Sequence, residues 1–257
     1  MPNWSNTNIT FFSKNKEQLE KLFKDIRDCP RVYKEELEGD FNKLKEQEPS
    51  FHPIGEEWIG TLLYKLGMIT KEQIINDTIP DYLSCRGRFL NDGYWEDELL
   101  ADETPNPYLD DETGWFFTIQ TEDAWQPFVD TWDQILMEHY PDVSFVYISE
   151  EPGNGYYCNS DECRYYFMED YLIDLTIDPE TVPESIRSQL KCNEYVSYYQ
   201  GISFNDLKNL MQVTFTGFED IETPEELEYK IDALSEQLDF ESEEEDVNWI
   251  RLHKYEE

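Results

Sequence analysis

Apolar residues recur along this chain with two different periods, and the switches between them mark out its elements. Residues 8–12 (NITFF) read as a strand, and the helix after it opens with Asn15 and Gln18 as a capping box and carries Leu19, Leu22, Phe23 and Ile26 as one stripe. Cys29-Pro30 closes that helix. Residues 31–80 read as a helical, amphipathic insertion: Trp58, Ile59, Leu62, Leu63 and Leu66 keep helical spacing up to a stop at Gly67, and Thr70 with Gln73 opens another turn. Strands are predicted at 82–90 (YLSCRGRFL) and 114–121 (GWFFTIQT), and Pro105 and Pro107 make the segment between them an extended loop. Pro127 suits a first helical turn, with Phe128, Trp132, Ile135, Leu136 and His139 on one face up to Pro141, and residues 142–149 (DVSFVYIS) alternate as a strand.

The order strand, helix, insertion, strand, loop, strand, helix, strand is βαββαβ, which predicts an α+β, ferredoxin-like sandwich. Residues 1–152 would form it, with the helical insertion at about 31–80 and an acidic loop at about 91–113. Residues 153–257 would form an acidic α+β extension. In it, NGYYCN and CRYYFMEDYLIDLTI read as a hairpin turning at NSDE, residues 205–211 as a short helix, and 212–218 (QVTFTGF) as a strand. A last helix has Thr223 as cap, Pro224 in its first turn, Glu226 closing the box, and Leu227, Ile231, Leu234 and Leu238 as its buried stripe. The run at 241–246 (ESEEED) reads as solvated.

Charge changes the picture more than any motif. The 257 residues hold 58 acids and 20 bases, and the imbalance is local: residues 1–88 have 15 acids and 13 bases, and residues 89–257 have 43 and 7. Between Arg88 and Arg164 lie 75 residues with 19 acids and neither Lys nor Arg. Such a field repels nucleic acid and anionic membrane and steers basic partners in. Salt adaptation would spread acid evenly, and solubility needs a net charge of only about 2 to 8 in a small domain. No run is apolar enough to cross a bilayer, and MPNWSNTNITFF lacks the pattern of a signal peptide, so the expected compartment is the cytoplasm. Five cysteines, an odd number in a chain of this size, are expected as reduced thiols.

Several stretches in order, MPNW at the start, AWQP at 124–127 and YPDVSFVYISEEPGNGYY from Tyr140, are similar to the YubB-like ferredoxin-like family of plasmid- and phage-encoded proteins. The similarity covers roughly residues 1 to 157. Gln126 and Phe128 depart from the Ser and second Pro that usually flank the junction. The resemblance implies a ferredoxin-like fold and a mobile-element origin, and no reaction.

Catalytic chemistry finds little support. His52, His139 and His253 stand apart from Cys and carboxylate clusters, and the HExxH, P-loop and GxGxxG patterns are absent. Cys158 and Cys163 lack two further ligands for zinc and read as thiols facing across a hairpin, and no calcium-loop spacing occurs. No cofactor, metal or catalytic residue is assigned. Arg86 and Arg88 read as partners of the chain's own acids, and Tyr94, Trp95, Tyr108 and Trp115 either underpin the acidic loop or anchor an interface. The favoured expectation is an inhibitor of a host defence protein such as a CRISPR effector, restriction enzyme or nuclease-helicase. It would occupy a basic nucleic-acid channel by mimicry, through Glu96, Asp97, Glu98, Asp102, Glu103, Asp110, Asp111 and Glu112, with Glu243, Glu244, Glu245 and Asp246 as a second patch. The alternative is an acidic protein-interaction module without mimicry.

Overall fold

A computed structural model describes residues 3–47, 55–76, 78–90, 98–191, 193–241 and 248–256. The chain divides into two compact units, Met1–Tyr166 and Phe167–Glu257. The first contains β1 (Trp4–Ser13), α1 (Lys16–Arg27), α2 (Cys29–Val32), a π turn (Tyr33–Leu37) and α3 (Glu38–Gln47). There follow α4 (Gly60–Lys65), α5 (Lys71–Ile75), β2 (Gly87–Phe89), β3 (Leu100–Ala101), β4 (Trp115–Ala124), α6 (Val129–His139), β5 (Ser144–Glu151) and β6 (Tyr156–Asn159). Its antiparallel sheet runs β2-β4-β1-β5-β6, with β3 also pairing β4.

The helix stripes explain how this sheet is covered. Asn15 caps α1 by accepting from the Gln18 amide at 3.3 Å, and Leu19, Leu22, Phe23 and Ile26 are all buried, as their spacing predicts. α1 ends at Arg27, just before Cys29-Pro30 as expected, and Pro30 opens a new helix rather than a break in helical structure. It sits in the first turn of α2, where its missing N–H costs nothing, and helical turns continue from there. Phe11 lies 5.2 Å from Phe117 and 5.0 Å from Trp132 of α6, and Phe23 of α1 lies 5.1 Å from Phe117, so both helices pack on one sheet face. The helical insertion is tied to α1 by Lys65, which pairs with Asp25 at 3.0 Å and Asp28 at 2.9 Å. Hydrogen bonds from Arg31 and Lys65 hold the Asp28 carboxyl well below the usual carboxylate range. The other sheet face is covered by aromatics, with Phe12 5.4 Å from Tyr108 and 5.3 Å from Tyr166.

The second unit contains β7 (Tyr171–Ile177), α7 (Glu184–Arg187), β8 (Val196–Ile202), α8 (Phe204–Thr214), α9 (Pro224–Glu241) and β9 (Trp249–Lys254), its sheet ordered β8-β7-β9. Its own core includes Ile173, Leu175, Leu207, Met211, Leu227, Ile231 and Leu238.

The architecture is thus mixed α+β with two antiparallel sheets. Its full strand order is not that of a four-stranded ferredoxin-like sandwich, because β6 adds beyond β5 and β3 adds beside β4. The expected hairpin is also absent. β6 pairs with β5, so the first unit runs on to Tyr166, and β7 pairs with β8 and β9. Of the strand expected at 82–90 only Gly87–Phe89 forms, and most of 212–218 is not a strand, since α8 continues to Thr214 and Phe215 makes one isolated bridge. Among the described residues no helix is long and apolar enough to cross a membrane.

Phe11 is fully buried at the centre of the first core. Phe11→Ala is expected to cost about 3–5 kcal/mol, read from the midpoint of urea unfolding.

Candidate functional site

The described part of the acidic insertion, residues 98–114, is not a loose loop. Ala101 pairs with Trp115, and the Asp102 amide donates to the Gly114 carbonyl at 3.0 Å. The chain then folds around Asn106, which is fully buried: its Oδ1 accepts from the Tyr108 amide (3.0 Å), and its Nδ2 donates to Asp102 Oδ2 (3.0 Å) and the Tyr166 hydroxyl (2.6 Å). Asp110 and Asp111 follow at φ 53° and 59°, a left-handed pair that Asp tolerates better than most residues. A Cβ on Gly114 would fall 2.5 Å from Leu109 Cδ1 and 2.7 Å from the Ser13 carbonyl, so only glycine closes the loop against β1. The Tyr108 hydroxyl donates to Asp161 Oδ1 at 2.6 Å and accepts from the Cys163 amide at 3.0 Å, which fastens the loop to residues 161–166. Burial and the Asp161 carboxylate push the Tyr108 hydroxyl well above its usual range.

This geometry sorts the predicted contact residues. Asp102 is turned inward, only 8% exposed, and its Oδ2 also accepts from the Gly114 amide at 2.8 Å, so it holds the loop and presents nothing outward. Glu98, Glu103, Asp110, Asp111 and Glu112 are exposed. Asp110 and Glu112 both reach Lys14, at 3.2 and 3.4 Å, so a base from the balanced N-terminal segment offsets part of their charge. Glu96, Asp97, Glu243, Glu244, Glu245 and Asp246 lie outside the described residues, as do Tyr94 and Trp95. Tyr108 and Trp115 are half-buried supports. Arg88 pairs with Glu122 at 2.6 Å, as the ordinary reading of that residue expects.

Cys158 and Cys163 do not face one another. Cys158 is buried in β6 and Cys163 is exposed, and Cys29, Cys85, Cys158 and Cys163 are all free thiols. Cys163 and Arg164 border a shallow groove against Leu100–Thr104, floored by Phe116. Of its two carboxylates, Asp102 is occupied by the Asn106 and Gly114 donors and Glu103 is exposed. Among the described residues no group of three or more His, Cys, Asp or Glu side chains is arranged to hold a metal ion.

A second polar cluster was invisible to the sequence reading as a site. Across β4, β1 and β5 the register sets Asp123 opposite Ser5 and Thr121 opposite Thr7, while Thr7 faces Ser149. Ser149 Oγ lies 2.5 Å from Ser5 Oγ and 2.9 Å from Thr7 Oγ1, and all these residues are fully buried. Burial pushes the Asp123 carboxyl up to about 7, against hydrogen bonds from Thr121 and Thr7 that lower it, with the Glu122 charge adding to the rise. Trp125 follows at φ 76°, a strained conformation for a bulky residue, half-exposed, with its amide donating to the Asn3 carbonyl at 2.9 Å. Asn3, AWQP and EEPGNG thus converge: Gly153 packs so closely that a Cβ there would lie 2.7 Å from Asn3 Nδ2 and 2.8 Å from Glu151 Oε1. Their order in the chain gave no sign of this, because strand pairing alone brings them together.

In the second unit, α9 shows a further acidic face. Leu227, Ile231, Leu234 and Leu238 are buried, and Glu225, Asp232, Glu236 and Asp239 are exposed. Its base, Lys230, is drawn back to the Gly217 carbonyl and the Phe218 ring. The signal was present in the sequence as the complement of the apolar stripe. Comparison of the chain with protein-family models, curated proteins and solved structures gave no match.

Two outcomes test this geometry. Asn106→Ala strips Asp102 and Tyr166 of a buried donor and is expected to cost about 1–3 kcal/mol, with amide exchange rising selectively over residues 102–114. For Asp123 the folded pKa lies above the unfolded value of 3.8, so the unfolded state ionises first and stability falls as pH rises from about 4 to about 7. Asp123→Asn removes that loss: it is expected to match the wild type near pH 4 and to exceed it by up to about 4 kcal/mol at pH 8, in urea melts at both pH values.

Proposed function

We propose that this protein is a non-enzymatic acidic binder that captures the basic nucleic-acid-binding surface of another protein by presenting carboxylates in place of phosphates. The observation that carries this reading is the outer face of α9. Glu225, Asp232, Glu236 and Asp239 stand at intervals of seven, four and three residues along it. The closer intervals correspond to axial rises of about 4.5–6 Å. Phosphates along one strand of duplex rise by about 3.4 Å, which is the same order. The insertion supports it separately, because Glu98, Glu103 and Asp111 are exposed on a segment whose backbone is fastened by buried hydrogen bonds. A rigid, base-poor acidic surface loses little entropy on docking and repels competing acidic partners.

Within the first sheet, the run β2-β4-β1-β5 with α1 and α6 on one face supports reading this unit as an elaborated ferredoxin-like domain of the YubB-like kind. With that resemblance, the favoured partner is a host defence protein that handles nucleic acid, such as a CRISPR effector, restriction enzyme or nuclease-helicase, and the role is its inhibition. One observation favours the alternative of an interaction module without mimicry: Tyr229 and Phe240, 75% and 90% exposed, share α9 with the carboxylates and have no counterpart in a phosphate backbone.

The test is capture of the partner from bacterial lysate, followed by titration with the isolated partner. Wild-type affinity is expected to fall about tenfold or more between 50 and 200 mM salt, and duplex DNA or RNA is expected to displace the partner competitively. The combined α9 variant Glu225→Gln, Asp232→Asn, Glu236→Gln and Asp239→Asn should bind more weakly with unchanged helicity. Retention of partner against excess nucleic acid would assign the module without mimicry, and affinity indifferent to salt and to these substitutions would sink both readings.

A further inference from the structure

Sheet edges are normally kept short or charged, because unpaired N–H and C=O groups recruit other strands. Four of the described edge strands obey this rule: β2 has three residues, β3 has two, β6 has four, and β9 carries Arg251 and Lys254. The fifth, β8, does not. Its seven residues, VSYYQGI, include no charge and no proline, and among the described strands they pair with β7 alone. Ser197, Tyr198, Tyr199 and Gln200 are exposed, and Tyr195 just before the strand is 64% exposed. In a chain with a net charge of −38, an uncharged aromatic edge of this length is an exception that the fold keeps.

We propose that β8 is a docking edge that receives an extended, basic segment of the partner as an added antiparallel or parallel strand. The basic character of the occupant follows from charge complementarity at both strand ends. Glu194 is exposed before β8, and Asp206 is exposed after it. A second copy of this chain would set these acids, and two strongly negative molecules, against one another, which disfavours self-pairing. A basic strand meets the opposite situation. Its backbone satisfies the open edge, its Lys and Arg heads reach the flanking carboxylates, and an aliphatic stem and its cation lie on the exposed Tyr198 ring. The inference rests on the proposed capture of a basic partner and adds a mode of attachment: main-chain pairing on β8, distinct from the carboxylate row of α9.

The probe is a fluorescent peptide alternating Lys and Val over the length of β8, compared with the same peptide N-methylated at alternate amides and with one alternating Glu and Val. The expected result is binding of the first alone, with peptide-induced amide protection and resonance shifts at residues 195–202. Ser197→Lys with Gln200→Lys should weaken it by about tenfold, and Ser197→Glu with Gln200→Glu should tighten it. The two double variants have matched exposure, so a general loss of folding would affect both and would show in their circular dichroism. Equal binding of the N-methylated peptide, shifts confined to the insertion or α9, or no peptide binding while α9-dependent partner capture persists would each overturn strand addition and leave the capture reading standing. Dimerisation of the protein through residues 195–202 would overturn it in favour of a second copy. Loss of salt-sensitive partner capture with β8 binding intact would instead remove the capture reading.

Discussion

Self-repulsion is the constraint to which the rest of the structure answers. Residues 89–257 hold 43 acids against 7 bases, and a compact state gathers those charges at a cost that only packing offsets. Each unit has its own apolar core for the purpose. Phe11, Phe117, Trp132 and the α1 stripe form one, and the inner faces of β7, α8 and α9 form the other. The same constraint explains where bases are spent. Lys14 is placed between Asp110 and Glu112, Lys191 beside Glu219, and Lys254 beside Glu228, so these scarce cations each offset carboxylate charge locally. These exposed pairs contribute little individually, and their value is in lowering local charge.

The carboxylates consequently separate into two kinds by what surrounds them. Asp102 and Asp161 are buried acceptors of backbone and side-chain donors, and they shape the insertion from within. Asp123 is buried with one oxygen unpartnered and takes up a proton near neutrality instead. Glu103, Asp111 and the α9 row are left to solvent. Composition cannot distinguish buried from exposed carboxylates, since each is an Asp or Glu in an acidic stretch, and only the exposed ones are available to a partner.

That distinction also marks how far the sequence was legible. Elements whose signals are local came through: the Asn15 cap and the stripe of α1, the Thr70–Gln73 box of α5, the alternation of β1, β4 and β5, and the buried face of α9. Features fixed by distant partners did not. Tyr166 lies 60 residues from Asn106 along the chain and 64 from Asp102, so no window around the insertion could show Asp102 turning inward. β6 looked like half of a hairpin, and its pairing with β5 is a choice of tertiary neighbour rather than of turn. β9 lies beyond the acidic run at 241–246, where the sequence reading assigned no element, and its Ile250 is buried in the second core.

β8 was missed for a different reason, and that reason bears on what it does. Period-two patterning identifies a strand only when one face is buried and the other is wet. β8 is exposed from Ser197 to Gln200 on both faces, so its residues were never selected for alternation, and YVSYYQGI looks like neither a core strand nor a charged edge. A strand that lacks both burial and the usual edge protection is held in the sheet by its ladder to β7, with Val196 and Ile202 packing against the core at its ends. Its exposed middle therefore contributes least to the folded unit and is the part whose uncharged, tyrosine-rich character the fold itself does not require.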